Sequence, residues 1–358
     1  MSFEPTYTTW KQEDGNSRWQ SPSNIALVKY WGKTGFQLPA NPSLSFTLKN
    51  CYTDTTLHWS PKTAAVSGMT LFLEGVRNEK FEVKVGKFLS HIQPYLPFLK
   101  DFDLRIETSN SFPHSSGIAS SASGMSALAL NLCSMETRVS GNVPAEADFL
   151  QKASFLARIG SGSACRSVYG GLVSWGAHQH LRGASDLFGT PYAGVVHPVF
   201  HTLRDAVLLV HAGEKSVSST VGHDLMHRNP FAQRRFEVAH ENIDALIPIL
   251  ASGDVVAFGE LVEREALMLH ALMMTSQPYF LLFKPESVAV IEKIGAFRKQ
   301  TGLPVYFTLD AGANVHLIYF GADHEAVKSF IDSALVVHCS EKGYICDETG
   351  AGPQALNR

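Results

Sequence analysis

The sequence predicts a two-domain protein that mixes strands with helices. Three observations lead there. The chain has 358 residues, more than one ordinary domain needs. Each half holds both alternating, strand-like runs and stretches with apolar residues at helical spacing. Between the halves, residues 180–204 are loop-rich, with Gly183, Gly189, Pro191, Gly194 and Pro198. Hydrophobic residues make up 45% and charged residues 18% of the chain, enough apolar content for a sizeable core.

Composition also excludes some function classes. A net charge of −3 argues against wholesale nucleic-acid binding, so an anion site must come from a local basic cluster. The five cysteines are scattered, with no C-x-x-C pair, which points to reduced thiols and a cytoplasmic setting. No apolar run reaches the roughly 18 residues of a membrane span, and the first 20 residues are too polar for a signal peptide.

In chain order, residues 1–20 read as an irregular polar arm. Strand-like pieces follow at 24–30 and 43–48, flanking a turn with Gly32, Gly35, Pro39 and Pro42. Residues 51–112 alternate as short strands (TDTTLHWS, MTLFLEG, KFEVKV), then a helical piece over 86–99, then the strand LRIETS. Helical periodicity marks 121–132 and 145–159. The second half opens with a strand at 205–211. Helices follow at 229–252, 254–275 and 285–299, then a hairpin over 305–320, a helix at 324–338 and a Gly-rich tail.

Four places carry candidate chemistry. PHSSGIASSASGMSALA, from Pro113 to Ala129, joins a strand to a helix through a loop of small residues. Such a loop lets backbone N–H groups of the first helical turn meet a phosphate; an ordinary capped helix reads the same way. Lys29 sits in an apolar strand, where it either faces water at an edge or meets an anion. Arg166 follows a second Gly/Ser-rich turn, GSGSACRS, and is either a surface residue or a fork for a carboxylate or phosphate. Asp310 ends the first strand of the hairpin, the usual place for a residue that caps its own turn. The 15 histidines show no ligand spacing and read as scattered structural residues.

Five patches in order, NIALVKYWGK, FPHSSGIASSASG, GSGSACRSVYGG, KSVSST and TLDAGANVHL, with GAGPQ as a weaker sixth, resemble the diphosphomevalonate decarboxylases of the GHMP small-molecule kinase superfamily. DAGAN stands where typical kinases of that superfamily carry a glycine-rich motif. The resemblance implies a two-domain α+β GHMP kinase fold. A domain similar to ribosomal protein S5 domain 2 would span 1–195 and a GHMP domain 196–358. It implies ATP-dependent decarboxylation of 5-diphosphomevalonate, with Mg²⁺ and no assignable protein ligand for it, and a cytoplasmic homodimer. By the same resemblance Asp310, Lys29 and Arg166 are catalytic. Substrate would contact Asn24, Tyr30, Trp31, Gly32, Lys33, Lys80, Ser161, Gly162, Ser163, Ala164, Cys165 and Thr220 as well as Arg166. ATP phosphates would meet Ser115, Ser116, Gly117, Ser120 and Ser121. Close alternatives are a kinase that stops at phosphorylation, a decarboxylase of the monophosphate, and a non-catalytic metabolite-binding protein on the same fold.

Overall fold

The computed structural model describes residues 3–63, 68–113, 118–211, 219–341 and 343–357. The first lobe is built on two long antiparallel strands, β1 (Gly15–Val28) and β2 (Ser43–Pro61), paired from Gly15 opposite Trp59 to Val28 opposite Leu44. After β3 (Met69–Leu73) and β4 (Val76–Arg77) comes α1 (Glu79–Ile92), then β5 (Phe102–Asn110), which runs antiparallel to β2 and parallel to β3. Two helices, α2 (Ser120–Ser140) and α3 (Glu146–Gly160), precede the short strands β6 (Leu172–Trp175) and β7 (Thr190–Pro191).

The second lobe starts with β8 (Leu203–Leu208). Helices α4 (Ser219–Asp224), α5 (Ala232–Ser252), α6 (Val255–Met274) and α7 (Pro285–Thr301) follow. The hairpin of β9 (Tyr306–Thr308) and β10 (Val315–Phe320), α8 (His324–Phe330) and β11 (Tyr344–Glu348) complete it, and β12 (Gln354–Asn357) ends the chain. The strands form two sheets. The larger has the order β12-β1-β2-β5-β3-β4, with β6 also on β2 and β7 on β6; the smaller is β11-β8-β10-β9, antiparallel throughout.

Helix α2 lies against β1 and β2 with little room to spare. Small and polar side chains make this approach possible: Ser17 Oγ donates to Asn131 Oδ1 (2.7 Å), Asn131 Nδ2 donates to the Thr55 carbonyl (3.0 Å), and Ser21 meets Ser126. Gly141, at φ +71°, ends the helix by donating its N–H to Thr137. The lobes share an apolar core as well. Ile25, Leu27 and Phe46 of the first pack with Leu203, Ile243, Phe258 and Phe320 of the second. The end of β1, and Lys29 just beyond it, is therefore buried between lobes.

Several elements differ from the sequence-based expectation. Residues 15–20 are not an irregular arm but the first part of β1, because Ser17 and Trp19 turn inward onto α2, the Trp19 indole donating to Ser134 Oγ (2.9 Å). KFEVKV is not a strand. Asn78 caps it by accepting the Phe81 N–H (3.1 Å), and Val85, Phe88 and Ile92 bury one helical face. That helix stops at Ile92, before Pro94, rather than at 99.

The Gly-rich tail is also structured. β11 completes the smaller sheet, and β12 returns to the first lobe and pairs with β1. Between them the chain passes so close to the turn at Gly170 that a Cβ there would lie 2.1 Å from the Ala351 carbonyl oxygen. Gly171 donates to Gly350, and Gly350 to Thr47. Glycine is required at Gly170 by this contact between two backbones. Gly170→Ala is therefore expected to push the tail off the first lobe and cost about 1–3 kcal/mol, read as a lower midpoint of thermal unfolding; an unchanged midpoint would show that the tail does not dock as described.

Candidate active site

A cavity of about 530 Å³ opens between the lobes, and both strand ends and helix starts converge on it. One end is polar and charged, lined by Asn24, Lys29, Tyr30, Lys33, Arg166 and Asp310. The other, between β3, β5, α1 and α2, is lined by Leu71, Leu73, Phe81, Ile106, Met125 and Leu128. Ser120 and Ser121, at the N-terminus of α2, lie in the wall, and Ser121 Oγ stands 3.4 Å from Ser161 Oγ. The two Gly/Ser-rich turns, 36 residues and more apart in sequence, thus meet at one wall.

Lys29 and Asp310 make an ion pair at 2.7 Å, the lysine side chain almost wholly buried and the aspartate about a quarter open to the cavity. Helix α6 holds both partners from behind. Glu265, fully buried, accepts the Lys29 N–H at 2.8 Å and pairs with Arg235, which also reaches the Lys29 carbonyl at 3.3 Å. Five residues further along α6, His270 donates its Nε2–H to the Asp310 carbonyl at 3.1 Å. Burial pushes His270 down to about 4, so its ring is neutral near pH 7.

Arg166 is buried as well. Its Nε donates to Asn24 Oδ1 (3.1 Å), its Nη1 to Ser43 Oγ, and its guanidinium lies 5.9 Å from the Trp175 ring. Asn24 is fixed in turn by donating to Ser167 Oγ (2.8 Å) and the Ser163 carbonyl (3.2 Å). Burial lowers the Arg166 pKa, yet a guanidinium is so weak an acid that it stays charged. Among the described residues none takes its Nη2, and the side chain lines the cavity. Such an arrangement holds a cation rigidly while leaving one edge free for an anionic ligand.

Two more donors are left open beside it. The Tyr30 hydroxyl and the Trp31 indole N–H are buried and have no partner among the described residues. Buried polar groups are nearly always paired, so two orphan donors in a cavity wall beside Lys33 call for an acceptor-rich ligand. Burial holds the half-buried Lys33 ammonium below the usual lysine range, with Asp224 pulling the other way. Gly32, at φ +100°, donates to His223 Nδ1 (2.9 Å); a Cβ there would lie 2.6 Å from Phe236. A Cβ on Gly162 would meet Trp175 at 2.6 Å and the Tyr30 oxygen at 2.9 Å.

The chain's relatives agree with this geometry. A family model described as diphosphomevalonate decarboxylase-like N-terminal domain matches residues 21–186, and one described as mevalonate 5-diphosphate decarboxylase C-terminal domain matches 206–354. The diphosphomevalonate decarboxylase of Aspergillus fumigatus is 32% identical over 345 residues, covering 88% of this chain and 79% of that one. The chain belongs to the diphosphomevalonate decarboxylase family. Among solved structures, the mevalonate diphosphate decarboxylase from Enterococcus faecalis is 28% identical, with a TM-score of 0.80 over 97% of this chain and 100% of that one. A complex of MDDEF with MVAPP, AMPPCP and magnesium is 30% identical, with the same TM-score and coverage. The expected two-domain GHMP kinase fold is the one this family shares.

Most of the residues singled out from sequence come together here. Asn24, Lys29, Tyr30, Trp31, Lys33, Ser120, Ser121, Ser161, Gly162, Ser163, Arg166 and Asp310 all line the cavity. Gly32 lies behind it, bonded to His223. The remaining expected residues are not placed in this lining. Lys80 is exposed at the start of α1 and does not line the cavity; Lys84, one helical turn on, does. Ala164 and Cys165 are buried behind the wall, with the Cys165 thiol pushed up to about 12 by burial and its carbonyl accepting Ser154 Oγ. Ser115, Ser116 and Gly117 fall outside the described residues, as does the Thr220 side chain.

Glu265, Arg235, His270 and His223 gave no sequence signal, because each lies in an ordinary helix. Burial drives His223 down to about 3, beside Tyr30 and Trp31. Unfolded histidine titrates near 6.5, so below that pH the unfolded chain binds more protons than the folded one. Stability should fall as pH drops from about 6.5, by about 1.4 kcal/mol per pH unit for each of His223 and His270. Thermal unfolding at pH 7 and 5.5 checks this: a flat profile would mean both rings take up protons in the folded protein.

Proposed function

We propose that this cavity carries out ATP-dependent decarboxylation of (R)-5-diphosphomevalonate, giving isopentenyl diphosphate, ADP, phosphate and CO2. The observation that carries the reading is the Lys29–Asp310 pair at 2.7 Å, lining the same cavity as the open edge of Arg166. A tertiary hydroxyl leaves poorly, whereas its phosphate ester leaves well. Asp310 orients the substrate hydroxyl and takes or shares its proton as the oxygen bonds to the γ-phosphorus and the bond to ADP breaks. Lys29 offsets the negative charge of the transferring group, in a step that is mostly positioning and electrostatics. The carbon–oxygen bond then breaks to release phosphate. The electron pair that joined the carboxylate carbon to its neighbour becomes the alkene bond as CO2 departs.

Arg166 holds that carboxylate. A bond between charged groups contributes roughly 1.5–3 kcal/mol, and the larger gain is orientation, because tight binding of the ground state would slow the reaction. Tyr30, Trp31, Lys33, Ser161 and Ser163 receive the diphosphate. The N-terminus of α2 with Ser120 and Ser121 receives ATP phosphates, while the apolar end between α1 and β5 suits the base. Mg²⁺ neutralises phosphate charge when it enters with ATP and keeps mostly phosphate and water ligands; the serine hydroxyls of this wall are hard oxygen donors of the kind it accepts.

We put the domain change near residue 195; the gap between the two stretches that match family models supports it. A cytoplasmic homodimer is the expected working form. Support for that setting comes from the five cysteines, all free, and no helix of the described residues is long and apolar enough to cross a membrane.

One assay tests the reading. With ATP, Mg²⁺ and 5-diphosphomevalonate, ADP, CO2 and isopentenyl diphosphate should form together. ADP without CO2 would make the chain a kinase, and turnover only with the 5-phosphate would change the substrate. Asp310→Asn should keep both ligands bound and lose about 10²–10⁴-fold in turnover; a near-normal rate would remove Asp310 from the chemistry. Tyr30→Phe deletes a buried hydroxyl that has no partner among the described residues, so the unliganded protein should melt no lower than the parent while the Michaelis constant for the diphosphate rises. A lower melting temperature with unchanged substrate affinity would make that hydroxyl structural.

A further inference from the structure

Away from this cavity, three side chains able to ligate a metal converge where the lobes meet. His178 and His180 lie on the loop after β6, and Asp244 lies on α5 of the other lobe. His180 Nδ1 is 2.6 Å and His178 Nε2 is 3.6 Å from the same oxygen, Asp244 Oδ1. One ligand atom from each side chain lies within 4.8 Å of the other two. We propose that His178, His180 and Asp244 form a zinc site that ties the loop to α5.

The dimensions fit. Around a tetrahedral zinc with bonds of about 2.0–2.1 Å, neighbouring ligand atoms stand about 3.3 Å apart. The two measured distances fall on either side of that value, so small side-chain rotations open a place for the ion. The donor set, two imidazoles and a carboxylate, suits a borderline cation rather than the magnesium that accompanies a nucleotide.

Exposure fits as well. The His178 side chain is 2% exposed and so preset, whereas His180 (58%) and Asp244 (42%) leave an open side for entry and for a water as fourth ligand. His240, one turn before Asp244 on α5, stacks its ring 5.2 Å from that of His178 and walls the site. The His180 N–H points at His178 Nδ1 from 3.3 Å. Ligation through Nε2 moves the ring proton to Nδ1 and gives up this long hydrogen bond and the ring's bond to the His240 backbone. The same loop backs the catalytic wall: the Trp175 indole, beside Arg166, donates to the Asp186 carbonyl at 2.9 Å. An ion here would brace that wall from the far side.

Zinc chloride titrated into the chelator-stripped full chain, followed by calorimetry and thermal melting, tests the site. One ion per chain should bind and raise the melting temperature. Cobalt(II) should give the visible absorption of a low-symmetry nitrogen–oxygen complex. Asp244→Asn and His180→Ala alter exposed groups and should leave the zinc-free melt and the decarboxylase rate unchanged. Each should weaken zinc by at least the roughly 10–100-fold that loss of an outer-shell partner costs. Equal affinity or an equal melting shift in parent and variants would place the zinc elsewhere, on a cysteine for example, and overturn the proposal, as would the absence of saturable binding to the parent.

Discussion

The site depends on one ion pair held in an almost dry place. Lys29 would be costly where it is without a partner, and Asp310, from the other lobe, supplies one at 2.7 Å. Neither side chain is placed by its own turn alone. Helix α6 fixes both backbones, Glu265 at the Lys29 N–H and His270 at the Asp310 carbonyl. Since one rigid element grips both partners, their separation does not depend on how the lobes shift around it. Breaking the Glu265–Arg235 pair would reach the chemistry through Lys29 rather than through any contact with substrate.

Around that pair the chain uses close backbone approach where the ligand side must stay open. Gly162 lets the turn before Arg166 pass Tyr30 and Trp175, and Gly170 lets the C-terminal tail lie on the turn after it. Arg166 is then clamped through Asn24 and Ser43, both in the first lobe's long strands. The polar end of the cavity is consequently over-determined in its hidden bonds and under-satisfied on its open face. Among the described residues nothing pairs with the Tyr30 hydroxyl, the Trp31 indole or the Arg166 Nη2 edge, which face the cavity. That combination distinguishes a binding surface from a well-packed core.

The lobes and most helices were legible because apolar spacing and turn residues speak locally. α5, α6 and α7 follow their periodicity closely. KFEVKV misled because three alternating apolar residues fit either period, and only the Asn78 cap and the packing of Val85 and Phe88 decided for helix. Ser17 and Trp19 looked like an arm because a strand that packs through serine onto a helix shows little apolar signal. Lys80 stands at the exposed start of α1, and Lys84, one turn further along the same face, lines the cavity.

Sequence by itself determined the chemical groups: a lysine in an apolar strand, an arginine after a small-residue turn, an aspartate at a hairpin, and the family pattern that links them. Read singly, each of these residues had an ordinary alternative as a surface or turn residue. Tertiary structure decided that they share one cavity, because Lys29 and Asp310 are 281 residues apart and no local signal spans that distance. It also decided which histidines stay buried and neutral and which gather around Asp244. Burial and through-space contact set those properties, and neither is written in the spacing of a chain.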